Sequence, residues 1–175
     1  CGDDGTIRVL STSSKTPIKT IRAHDGPVNF LTISPDGRYA ASAGKDKKVK
    51  IFDLNTFSEI QTFTKHTDSA TCVQFHPKLP LLISGGCDRI PYLYDTEKMQ
   101  PIETNFPHHP SKIVSVKFSA DIPFLAGAFS DDCISFYSVL DPVKHLERIQ
   151  PQSGHIHDAV LLPNPKGPGE NAIIA

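Results

Sequence analysis

The 175 residues carry 18 Lys or Arg against 19 Asp or Glu, a formal net charge of −1, so no strong field draws the chain to nucleic acid or anionic lipid. Fifteen prolines, eleven glycines and no tryptophan describe a turn-rich rather than a helical chain, because Pro and Gly break helix interiors. The four cysteines (Cys1, Cys72, Cys87 and Cys133) lack CxxC spacing, and the longest apolar runs, PLLIS and DAVLLP, fall far short of the roughly 20 residues of a membrane helix, which excludes a disulfide scaffold and a helical span.

In chain order, CGDDGTIRVL reads as a turn and one strand. VNFLTIS then ends at the turn PDG, RYAASA at GKDK, KVKIFD at LNT, and SEIQTF leads to His66. Four strands at roughly 10 residues per strand and turn is the spacing of an antiparallel all-β fold. An amphipathic helix needs an unbroken 3.6-residue period, and the Pro and Gly breaks interrupt one everywhere. SAGKDKKVKIFD returns as SGGCDRIPYLYD 42 residues later, and His24 to His66, Ser42 to Ser84, Asp46 to Asp88 and Phe52 to Tyr94 keep the same interval. With one inserted residue the register continues to His109, Asp131 and Tyr137. A fixed period of this size marks a modular β architecture.

A histidine, a Ser-x-Gly step ending the second strand, an Asp in the next turn and an aromatic-Asp pair ending the third strand resemble the WD repeat of β-propellers. The resemblance implies an all-β WD40 propeller of four-stranded antiparallel blades. It divides the chain into the end of one blade at 1–22, three repeats at 23–64, 65–107 and 108–153, and the start of another at 154–175. An open arc of blades leaves apolar faces uncovered, so a longer, seven-bladed propeller is expected. His24 with Ser42 and Asp46, His66 with Ser84 and Asp88, and His109 with Asp131 are expected to form polar locks, the Asp accepting from the imidazole and turn amides and the Ser hydroxyl bridging them. The family's tryptophan is replaced by Leu10, Phe52, Tyr94 and Tyr137, Gly127 replaces the third serine, and Pro91 is expected to force a bulge or weak edge in the least regular repeat.

Sets of His and Asp suit proton transfer, but an active site is built once and these recur in every repeat, which marks them as structural. The first strands, VNFLTIS, ATCVQFH and IVSVKFS, bring no carboxylate to a central channel, so no enzyme activity is expected. SGGCD lacks the Lys-Ser/Thr of a phosphate loop, and no nucleotide or other cofactor is assigned. His155 and His157 share a strand face, a spacing that can hold metal, yet His155 already fits the repeat histidine and no metal is assigned.

By resemblance, partners dock on the face built from the residue before each lock Asp and those after each histidine: Asp3, Lys45, Cys87 and Ser130, with Ser69 and Lys112. The basic run GKDKKVK puts Lys45, Lys47, Lys48 and Lys50 close together at one turn, which reads as a solvated turn or as a contact for an acidic partner, and Lys47 and Lys48 join the face. The face is polar and mixed in sign, which suits protein rather than a small molecule. The segments AHDGPVNFLTISPDGRYAASAGKDKKVKIFDL, KHTDSATCVQFHPKLPLLISGGCDRIPYLYDTEKMQ and SDDCISFYSVLDP further resemble the WD-repeat regulatory subunits of katanin. That resemblance implies a cytoplasmic, non-catalytic scaffold at microtubules, centrosome or axoneme, with tubulin and other complex subunits as partners. A scaffold subunit of an RNA-processing, ribosome-assembly or ciliary complex shares every repeat feature. Neither reading requires nucleic acid or membrane.

Overall fold

The computed structural model describes residues 1–119, 125–130, 133–139, 144–150, 160–162 and 172–174. The regular elements among them are strands. β1 (Thr6–Leu10) and β2 (Pro17–Arg22) form a two-stranded sheet. Three four-stranded antiparallel meanders follow, β3 (Val28–Ile33) to β6 (Ser58–Phe63), β7 (Ala70–Phe75) to β10 (Gln100–Ile102), and β11 (Ile113–Phe118) to β14 (Lys144–Ile149). Their inner members are β4 (Tyr39–Gly44) with β5 (Val49–Asp53), β8 (Leu81–Gly86) with β9 (Tyr92–Asp95), and β12 (Leu125–Ser130) with β13 (Ile134–Ser138). β15 (Val160–Leu162) pairs with β16 (Ala172–Ile174).

The cores lie between sheets. Ile7, Ala23, Val28 and Phe52 join the two-stranded sheet to the first blade. Ala41, Val49, Ile51 and Phe63 meet Val73, Phe75, Leu82 and Tyr94 of the second. Cys72, Ile83 and Leu93 meet Ile113, Val116 and Tyr137 of the third. Each buried tyrosine lies against the phenylalanine that closes the preceding repeat, Phe63 on Tyr94 and Phe106 on Tyr137, both with ring centroids 4.3 Å apart. β4 and β8 are covered on both faces, which explains the small residues of AASAG and ISGG. A Cβ added at Gly85 would stand 2.4 Å from Cγ2 of Ile113 on the next blade.

A bulge recurs at the start of the first strand in each of the three four-stranded sheets, between Val28 and Phe30, Ala70 and Cys72, and Ile113 and Ser115. The extra residue is turned toward the next blade. Asn29 Nδ2 donates to Ala70 O at 2.7 Å, and Thr71 Oγ1 donates to Ile113 O. Of the bulge or weak edge expected at Pro91, the structure shows the weak edge. β9 begins only after it and pairs with both neighbours in unbroken register, while β10 shrinks to three residues. Lacking an N–H, Pro91 ends the ladder early rather than distorting it.

Candidate functional site

The turn between the second and third strands of the first and second blades is shaped by backbone first. Lys47 N donates to Gly44 O and Arg89 N to Gly86 O, both at 3.2 Å, and Lys47 and Arg89 take φ of 69° and 68°. That left-handed residue tightens the turn so that the preceding Asp points back under the blade's rim, where the histidine leading into the first strand meets it.

In the first blade His24 Nδ1 lies 2.8 Å from Asp46 Oδ1, and Nε2 lies 2.7 Å from Ser42 Oγ. In the second, His66 Nδ1 lies 2.9 Å from Asp88 Oδ2 and Nε2 lies 2.7 Å from Ser84 Oγ. The bridging member is therefore the histidine, with serine on the far side of the ring, rather than the serine itself. Burial pushes the His24 pKa below the ordinary imidazole value against the pull of Asp46. Burial also raises that of Asp46, but the Asp25 amide, the His24 ring and the Lys48 amide outweigh it and hold the carboxyl below its usual range. A neutral ring beside an ionised carboxylate fixes the tautomer: Nδ1–H donates to Asp46 and Nε2 accepts from the Ser42 hydroxyl.

The locks differ in length. Phe52 ends the first at Ser42, whereas the Tyr94 hydroxyl, 3.1 Å from Ser84 Oγ, adds a fourth member to the second. In the third blade Gly127 leaves room for the Tyr137 hydroxyl to reach His109 Nε2 directly at 2.7 Å, and Cys133 Sγ lies 3.7 Å from Nδ1. Asp131, like His155 and His157, lies outside the described residues. The lock histidines and serines are buried and engaged with their partners, which is how a fold is held rather than how a substrate is met.

The rim above these locks presents Asp3, Lys45, Lys47 and Lys112, all exposed, with Lys48, Ser69 and Cys87 half-buried. Two expectations need correction, Ser130 on the rim and Lys50 in the lysine cluster. Ser130 is fully buried, its hydroxyl donating to Cys133 O at 3.1 Å, so it offers nothing to a partner. Lys50 points along the sheet to Glu59 at 2.7 Å instead of joining the basic run, because that carboxylate sits on the neighbouring strand. Lys48 leans toward Asp25 at 3.9 Å, while Lys45 and Lys47 have no ion pair among the described residues. Burial, then the nearby Asp68 carboxylate, raises the Cys87 thiol, which keeps it protonated and a poor nucleophile. Arg89 was not singled out in the sequence. It is exposed at the position 42 residues after Lys47, and that spacing is the signal that finds it.

A family model described as "WD domain, G-beta repeat" matches residues 15–53, 57–95 and 99–138, well over half of the chain. The chain belongs to the WD40 repeat family. Each matched unit begins at the outer strand of one sheet and ends with the third strand of the next, so the WD40 sequence repeat is offset by one strand from the blade. The chain is 36% identical over 87 residues to the probable coatomer subunit beta' of Schizosaccharomyces pombe, covering 49% of this chain and 11% of that protein. It is 30% identical over 117 residues to pre-mRNA-processing factor 19 of Bos taurus, covering 66% and 23%. It is 33% identical over 109 residues to the target of rapamycin complex subunit wat1 of S. pombe, covering 61% and 34%. The chain thus spans about a third or less of these relatives. A solved structure titled "Structure of U3-55K" superposes with a TM-score of 0.77 at 20% identity, covering 90% of this chain and 49% of that one, and shares the fold. The chain is a WD40 scaffold-type protein.

Proposed function

We propose that this chain acts as a non-catalytic docking scaffold whose lock rim binds an acidic protein surface, and that it does so as the targeting propeller of a microtubule-severing katanin complex. The observation that carries the reading is the pair of exposed lysines, Lys45 and Lys47, with no ion pair among the described residues, on a turn pinned from below by the His24–Asp46 lock. A rigid turn presents charge without the ordering cost a flexible loop pays on binding. Tubulin's acidic tails complement that charge, and the katanin resemblance in the sequence supplies the specific partner. Two features support a scaffold over an enzyme: the buried histidines are spent on internal hydrogen bonds, and β3, β7 and β11 contain no carboxylate.

A second reading, a scaffold subunit of an RNA-processing, ribosome-assembly or ciliary complex, is favoured by similarity to a protein named for pre-mRNA processing. Co-sedimentation with microtubules, intact or stripped of their acidic tails, separates the two. Pelleting that is lost both on tail removal and in Lys45→Glu/Lys47→Glu supports the microtubule reading. Unchanged pelleting of that variant removes the lysines from the contact, and no pelleting of the wild type favours the second reading.

A further inference from the structure

Two hydroxyl residues in the sequence stand directly before a proline, Thr16 before Pro17 and Ser34 before Pro35, and the fold treats them oppositely. We propose that Thr16 is a phosphorylation site for a proline-directed protein kinase, and that Ser34, which shares the dipeptide, is closed to one.

Such a kinase takes its substrate extended in an open cleft. Its pocket for the next residue offers no partner to a backbone N–H, so proline enters without loss and other residues leave a donor bare. Thr16 meets both demands. It stands where the β1–β2 turn runs into β2, and residues 12 to 20 are all exposed. Among the described residues β2 pairs with β1 alone, so its outer edge is clear. The Thr16 hydroxyl meets the Ser14 hydroxyl at 2.7 Å, a surface contact that a phosphate oxygen can replace.

The turn before Thr16 is lightly held. Lys15 N donates to Ser11 O at 2.9 Å, Ser11 N to Thr16 O at 3.0 Å and Ser14 N to Ser11 Oγ at 3.2 Å, with Lys15 at a φ of 55°. In the next two repeats the place of Ser11 belongs to Asp53 and Asp95, and each carboxylate accepts two turn amides. Ser11 Oγ accepts one, which makes this the turn that opens most easily while its sheet stands. Ser34 is the contrary case at 8% exposure. Its hydroxyl donates to Asp36 Oδ1 at 2.5 Å and accepts from Tyr39 N at 2.9 Å, while its own N and O are tied to Tyr39 O and Gly37 N. Bringing it to a kinase means unpicking the β3–β4 turn.

Charge favours the product at Thr16. Lys15 and Lys19 flank it, both exposed and with no ion pair among the described residues, and no Asp or Glu occurs between Gly5 and His24. A phosphate there, carrying roughly 1.5 to 2 negative charges at neutral pH, has cations beside it in the chain. In the transfer Thr16 Oγ1 attacks the γ-phosphorus of ATP and the bond from that phosphorus to the β–γ bridging oxygen breaks. ADP leaves, and the hydroxyl proton passes to a carboxylate of the kinase.

The test incubates the folded chain with a cyclin-dependent kinase and γ-labelled ATP, beside a synthetic peptide of residues 10–22, and maps the sites by tandem mass spectrometry. Labelling on Thr16 is expected, with kcat/KM within roughly tenfold of the peptide's because one exposed turn has to open. Thr16→Ala is expected to abolish it, Pro17→Ala to lower it roughly a hundredfold and Lys19→Glu several-fold. Lys45→Glu/Lys47→Glu is expected to leave it unchanged, which keeps this site separate from the docking role proposed above. Labelling that survives Thr16→Ala or ignores Pro17→Ala, in variants with unaltered melting curves, would overturn the proposal. So would labelling of Ser34 in the folded chain, or no labelling of the folded chain, whether or not the peptide is labelled.

Discussion

Tyr94 and Tyr137 hold the same place in successive blades and do different work. The Tyr94 hydroxyl adds to a His–Ser pair that is complete without it, whereas Tyr137 is the only partner of His109 Nε2 among the described residues. Tyr94→Phe is therefore predicted to cost about 1 kcal/mol, and Tyr137→Phe, which leaves a buried ring nitrogen bare, about 1–3 kcal/mol. Urea midpoints at constant slope read the difference. His109 also sets an acid limit. Burial, then Arg148 and His145, push its pKa down to about 4 from 6.5. Between those values the unfolded chain binds more protons than the folded one, so stability is full above pH 6.5 and falls as pH drops toward 4. This residue's share is roughly 3 kcal/mol. Thermal melts across that range should show the loss, and His109→Gln should flatten it.

At the scale of elements, two glycines, Gly44 at the end of β4 and Gly37 in the turn before it, are held for different reasons. A Cβ on Gly44 would stand 2.3 Å from His24 Nδ1 and 2.6 Å from Asp46 Oδ1. Gly37 has open space around it and only a φ of +71° to protect. Gly37→Ala is predicted to cost about 1 kcal/mol through backbone strain. Gly44→Ala is predicted to cost about 1–3 kcal/mol from crowding, with the lost imidazole–carboxylate bond in addition. Chemical denaturation orders the two variants, and equal losses would mean that the lock tolerates the intrusion. The 42-residue interval made the lock partners legible, because each sits at a fixed place in a repeating turn. The first-strand bulge and the reach of Asn29 and Thr71 to the next blade left no sequence signal, since a bulge depends on pairing register. Lys50 misled for a related reason: proximity in the chain placed it with Lys47, and a carboxylate across the sheet claimed it.

For the molecule as a whole, the blades expose two ends of different character. The lock end carries mixed charge and two lysines with no ion pair among the described residues, and the other end carries a groove between turns of the first and second blades. The first was readable in part, because its turns recur in register. The second was not, because it is assembled from three turns whose side chains differ between repeats. What a WD40 scaffold does is set by such surfaces rather than by its sheets. Affinity capture from cell extract with the wild-type protein and with Lys45→Glu/Lys47→Glu, read by quantitative mass spectrometry, tests the docking role most directly. The account predicts that the wild type retains tubulin and that the variant, melting normally, loses it. Identical recoveries from the two proteins, or a wild-type set without tubulin, would contradict it.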